Sequence, residues 1–149
     1  MKVKCIEGQL YPEPLVLPFK QSETIHENNY MSIVYSQDIV GTFVIPRQIY
    51  DVYGILIYGK NAYYLIDNQQ DSIRFLPATL FTIVSNSFNG DWRIFDYKLF
   101  DGRMIAIGPS VFVGNYKNIR DIIKETKEMM LIFLKYKLYY KEWGVSPFE

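Results

Sequence analysis

The stretch that decides the fold runs from Gly41 to Val84. It opens Gly41-Thr42-Phe43-Val44-Ile45-Pro46-Arg47-Gln48-Ile49-Tyr50-Asp51-Val52-Tyr53-Gly54-Ile55-Leu56-Ile57-Tyr58 and breaks at Gly59-Lys60-Asn61. It resumes as Ala62-Tyr63-Tyr64-Leu65-Ile66-Asp67, crosses a polar loop from Asn68 to Asp71, and closes Ser72-Ile73-Arg74-Phe75-Leu76-Pro77-Ala78-Thr79-Leu80-Phe81-Thr82-Ile83-Val84. Three runs rich in β-branched and aromatic residues, separated by short polar breaks, predict an antiparallel meander. Pro77 to Phe81 reads as a corner with one 3₁₀ turn. Gly54 lies inside the longest run, where a glycine marks a bulge or a bend. Tyr58 and Tyr63, on either side of the Gly59 turn, are expected to stack as cross-strand neighbours.

On the N-terminal side, residues 2–6 alternate weakly and predict a short first strand. Residues 9–20 set Pro12, Pro14 and Pro18 around Leu15-Val16-Leu17. Proline brings no N–H to a ladder, so this piece reads as extended and edge-like. Residues 20–29 are polar and read as a loop, and Tyr30 to Ser36 as a strand. On the C-terminal side, Asn89-Gly90 signals a turn. Trp92–Tyr97 and Arg103–Gly108 then form a hairpin about Asp101-Gly102. Ser110–Gly114 reads as a short extended piece. From Asn118 the period changes: Ile119, Ile122, Ile123, Met129, Met130, Phe133, Leu134 and Leu138 mark one face of a helix. The pattern predicts a single helix over 117–142, starting at Asn118 with Asp121 in its first turn. Lys135, Lys137 and Lys141 lie late in it, and Gly144 is its stop.

These elements predict an α+β fold, mostly antiparallel β with about six to eight strands, and one long helix packed on the sheet. The 149 residues suit a single domain, and a domain of that size buries roughly 70% of its unfolded surface. It divides into an N-terminal strand and proline-rich extension (1–40), a β core (41–84), a hairpin (90–110) and the helix.

A hydrophobic share of 49% and a charged share of 21% are those of a globular chain. Aromatic residues make up 17%, with 13 Tyr and 10 Phe; Tyr fills small β cores and also serves at interfaces. Sixteen basic residues balance 16 acidic ones, so nothing in the balance points to a nucleic-acid polyanion as the main partner, which calls for a basic patch or stripe. Cys5 is the one cysteine, so no intramolecular disulfide forms, which fits a reducing compartment. With His26 the one histidine, a tetrahedral Cys/His zinc site is excluded, and no cofactor is expected. Residues 1–8 lack the apolar core of a signal peptide, and no run reaches the ~18 apolar residues that span a bilayer. The expectation is a soluble, cytoplasmic protein.

The central stretch resembles a family of small bacterial proteins with an SH3-like β-barrel, found among the immunity proteins of polymorphic and contact-dependent toxin systems. The resemblance rests on Gly41, Tyr50-Asp51-Val52, Tyr64-Leu65-Ile66-Asp67, the Asn68–Asp71 loop, Phe75-Leu76-Pro77, Leu80-Phe81 and Ile83-Val84. Trp92 and Ile132-Phe133, followed by Lys135 and Lys137, extend it loosely. Asn68 departs from the paired acids that relatives often carry after the aromatic strand. The resemblance implies a partly open SH3-like barrel and no enzymatic turnover. It also implies an immunity protein that neutralises a cognate toxin domain by stoichiometric binding.

The residues themselves leave other readings open. Asp67, Asp71, Asp91, Asp96 and Asp101 all lie in or near turns, where carboxylates serve acid–base chemistry only if burial splits their pKa values; turn aspartates more often cap their own backbone. His26, in a polar loop, is the sole imidazole for a nucleophile–base pair. An SH3-like peptide- or nucleic-acid-binding module can use Tyr53, Tyr58, Tyr63, Tyr64 and Phe75 as a stacking platform, although alternation turns about half of them inward. For a protein partner, loops and strand ends on a rigid scaffold are the expected contacts, which selects Asp67, Asp71, Asp91, Trp92 and Tyr97.

Overall fold

The structure is a computed structural model that describes residues 1–6, 15–18, 30–33, 43–88, 90–99 and 102–143, with the backbone alone in 15–18, 30–33 and 141–143. Nine strands are described: β1 (Lys2–Cys5), β2 (Leu15–Pro18), β3 (Tyr30–Ile33), β4 (Ile49–Tyr58), β5 (Asn61–Asp67), β6 (Ile73–Pro77), β7 (Phe81–Ser85), β8 (Trp92–Leu99) and β9 (Gly102–Pro109). Three helices follow: α1 (Ser110–Val113), α2 (Tyr116–Ile123) and α3 (Lys127–Trp143). Seven strands form one antiparallel sheet, while β2 and β3 pair separately as a two-stranded ribbon. The fold is α+β, as the sequence predicts. No helix among the described residues is long and apolar enough to cross a membrane.

β4 is the strand the others are built on. β5 lies along one edge, with Val52 opposite Ile66 and Leu56 opposite Tyr63. The other edge is divided: Ile49–Asp51 pair with β1, and Ile55–Tyr58 pair with β9. Between Val52 and Ile55 the register slips by one residue, a bulge at the Gly54 that the sequence singles out. The slip reverses which side chains face which way. Before it, Tyr50 and Val52 enter one core; after it, Leu56 enters another.

The path β6-β5-β4-β1-β7 begins and ends on two strands joined by a 3₁₀ turn of three residues, Ala78–Leu80. That short link draws the ends together, so the sheet curls. β6 and β7 do not pair, and the barrel stays open. Val3, Cys5, Val44, Tyr50, Val52, Ile66, Leu76, Leu80 and Phe81 fill the curl. On the opposite face Tyr63, Leu65, Ile73, Phe75, Met104 and Ala106 meet the helices through Phe112, Ile119, Ile122, Met129, Phe133 and Tyr136.

The C-terminal segment differs from its prediction. Ser110–Val113 is helical rather than extended. The single helix over 117–142 is two helices. α2 starts at Asn115, whose side chain accepts from the Asn118 N–H at 2.8 Å, so Asn118 is not its cap, and Asp121 falls near its end. It stops where Glu125 turns left-handed, φ 54°. The Glu125 N–H reaches the Ile122 carbonyl and the Thr126 N–H the Asp121 carbonyl, closing the orphan acceptors of the last turn. Thr126 then caps α3 through Met129 N–H. Tyr58 faces Asn61, and Tyr63 faces Leu56, so the two tyrosines are diagonal rather than opposed. The loop around His26, Pro12 and Pro14, Gly41, the Asp101 side of the hairpin turn and the Gly144 stop lie outside the described residues.

Where β9 crosses the bulge, backbone meets backbone. A Cβ on Gly108 would stand 3.0 Å from Gly54 Cα and 3.1 Å from the Tyr53 carbonyl. Gly108→Ala is therefore expected to lower stability by about 2 kcal/mol, the scale of overpacking a filled site, read as a lower urea midpoint with an unchanged slope.

Candidate functional site

α3 is held by polar contacts at its middle as well as by its apolar face. Apolar side chains stand on its outer side as well, with Leu131 and Leu138 exposed, so the apolar face alone defines its rotation about its own axis only weakly. Tyr136 is fully buried, and its hydroxyl donates to Asp91 Oδ2 at 2.6 Å. Next to it, Lys137 Nζ stands 2.8 Å from Asp67 Oδ2. The other Asp67 oxygen accepts from the Gln69 N–H at 2.8 Å, which supports the left-handed turn at Gln69. Among the described residues Asp91 Oδ1 is buried without a hydrogen-bond partner.

Beside the Lys137–Asp67 pair lies a cavity of about 510 Å³, bounded by Met1, Lys2, Asp51, Val52, Tyr53, Ser85, Ser87, Lys137 and Tyr140. Lys2 and Asp51, opposite each other on β1 and β4, form a half-exposed ion pair at 2.9 Å. The Met1 amine donates to the Ser87 carbonyl at 2.6 Å. Tyr53 packs edge-on against Phe133, with ring centroids 5.3 Å apart. Burial, and then the charges of Asp51 and Asp67, push its hydroxyl well above the usual tyrosine range, so it stays a donor. The recess therefore offers mixed hydrogen-bonding groups around one aromatic wall. Among the described residues no group of three or more His, Cys, Asp or Glu is placed to hold a metal ion.

The five residues selected from the sequence fall in different places. Asp67 and Asp91 are buried and bond α3 to the sheet. Tyr97 is buried, its hydroxyl donates to the Val113 carbonyl, and burial pushes its pKa up to about 12. Trp92 is half-buried, its ring 4.9 Å from that of exposed Phe88. Asp71 is exposed in the loop, with φ 63°. These side chains do not share one surface: three bind inward, and only Asp71 and part of Trp92 meet solvent. Of the aromatic platform, Tyr63 and Phe75 are buried on the helix side, together with half-buried Tyr53 and Tyr58, while Tyr64 faces the opposite way. Lys137 and Tyr136, which the sequence reading did not select, complete the polar cluster. Their signal is a lysine placed directly after a core-facing tyrosine in an apolar helix.

Comparison with protein-family models, with curated proteins and with solved structures finds no match for the chain.

Lys137 is part-exposed and Asp67 buried, so removing the lysine leaves the carboxylate with one hydrogen bond fewer. Lys137→Met is expected to cost about 2 kcal/mol in urea unfolding. Adding Asp67→Asn should recover part of that loss, because the stranded charge is gone.

Proposed function

We propose that the chain is a binding protein that acts by stoichiometric association with another protein. In the reading that the sequence resemblance supports, it is an immunity protein, and its partner is a cognate bacterial toxin domain that it neutralises in the cytoplasm. The observation that carries the binding reading is the amount of apolar surface left open on a well-packed scaffold. Ile94 is 73% exposed and Ile57 38%, and the register of β8, β9 and β4 sets both on one face of the sheet. Exposed apolar surface that is contiguous marks protein contact sites, and the curled sheet with its helical backing supplies the rigidity such a site needs. Buried Cys5 is compatible with a reducing cytoplasm.

A standard interface buries on the order of 800 Å² per partner, with a few aromatic and apolar anchors carrying most of the energy. The test is to isolate the tagged chain from its source cells together with the product of the gene immediately upstream. The expected result is a one-to-one complex with a toxin-like domain, and growth rescue when the chain is co-expressed with it. Recovery of nucleic acid instead, bound with a steep salt dependence, or no stable complex, would overturn the reading.

A further inference from the structure

The apolar exposure has a location. β8, β9, β4 and β5 pair without a register shift over Trp92–Leu99, Met104–Ile107 and Ile55–Tyr58. Residues directly opposed across such strands share one face, with Cβ atoms about 5 Å apart. On the face away from the helices this places Ile94, Ile107, Ile55 and Tyr64 in one row, and Asp96, Ile105, Ile57 and Ala62 in the next. Ile55, Tyr64 and Trp92 lean on the core inside the curl; beyond them the described residues leave the same face open, to Ile94 and to Ile57, 38% exposed.

The next row changes character. Lys98 lies directly opposite Arg103, which sets two cations side by side on this face. Asp96 is bonded to Arg103, and that bond, with the charges of Arg103 and Lys98, holds its carboxyl below the usual carboxylate range. Lys98 is exposed with no ion-pair partner among the described residues, and exposed Lys60 stands in the adjacent β4–β5 turn. Among the described residues, a chain of zero net charge thus gathers Lys98, Arg103 and Lys60 near the end of its open apolar strip, with Asp96 bonded to one of them.

We propose that this face of β4, β8 and β9 is the docking surface, and that it takes a protein partner whose own contact surface has an apolar centre bordered by carboxylates. The isoleucines supply the desolvated centre. Lys98, Arg103 and Lys60 supply the complementary rim, which sets orientation and encounter rate. A second copy of the chain is the poorer occupant, because it would bring like-charged rims. The proposal rests on the protein-binding reading and specifies its site.

The test places the photo-cross-linking residue p-benzoylphenylalanine at Ile94 in the tagged chain. A control chain carries it at Leu138, 69% exposed on the outer side of α3. The expected result is an adduct from position 94 and none from 138, mapping to a partner segment that combines apolar residues with Asp or Glu. With that partner purified, Lys98→Glu should weaken binding about tenfold and Ile94→Asp about a hundredfold, while both variants keep the wild-type circular dichroism spectrum and melt no earlier than the wild type. A complex that forms with unchanged affinity in both variants, or that cross-links only from 138, would overturn the docking face and leave the binding reading intact. Cross-linking within the chain, or to a second copy, would overturn it as well. Absence of any partner would remove both.

Discussion

The bulge in β4 is the constraint on which the rest of the molecule depends. A strand with strict two-residue alternation serves one core with one set of side chains. By inserting one residue at Tyr53–Gly54, β4 gives Tyr50 and Val52 to the curled side and Leu56 to the helical side. The same point divides its free edge, so that β1 takes the first half and β9 the second. Glycine is needed on β9 there, since a Cβ on Gly108 would meet Gly54 Cα and the Tyr53 carbonyl. The open barrel and the helix-backed extension are two consequences of one inserted residue.

The bulge also accounts for where the surface lies open. The curl closes over the face of β4 that carries Tyr50 and Val52, whereas the same face past the bulge extends beyond what the curl can cover. The helices occupy the other side and cannot reach it. An open apolar strip is therefore built into the connectivity, and α3 with its Tyr136–Asp91 and Lys137–Asp67 contacts backs the same sheet from the other side.

Much of this was legible in the sequence. The strands were, because β-branched and aromatic runs broken by Gly-Lys and polar loops have no other economical reading, and Gly54 announced its bulge. The split between α2 and α3 was harder. Glutamate has no signature for a left-handed position, so Glu125 gives no stop signal, and Thr126 alone marks the second start. The polar run Lys124–Glu128 was the available hint. The site was the least legible. Asp67 and Asp91 look like surface turn acids because their partners, Lys137 and Tyr136, come from an element far along the chain. The open isoleucine face becomes visible only when register sets Ile94, Ile107 and Ile55 side by side; in sequence they are ordinary strand residues.

The central claim is that β4 binds two cores into one cooperative unit. Native-state amide hydrogen exchange along β4 tests it most directly. Val52, on the curled side, and Leu56, on the helical side, are expected to exchange with one shared opening free energy equal to that of global unfolding. A markedly lower opening free energy at Val52 than at Leu56, or the reverse, would mean that the two cores open independently and would contradict it.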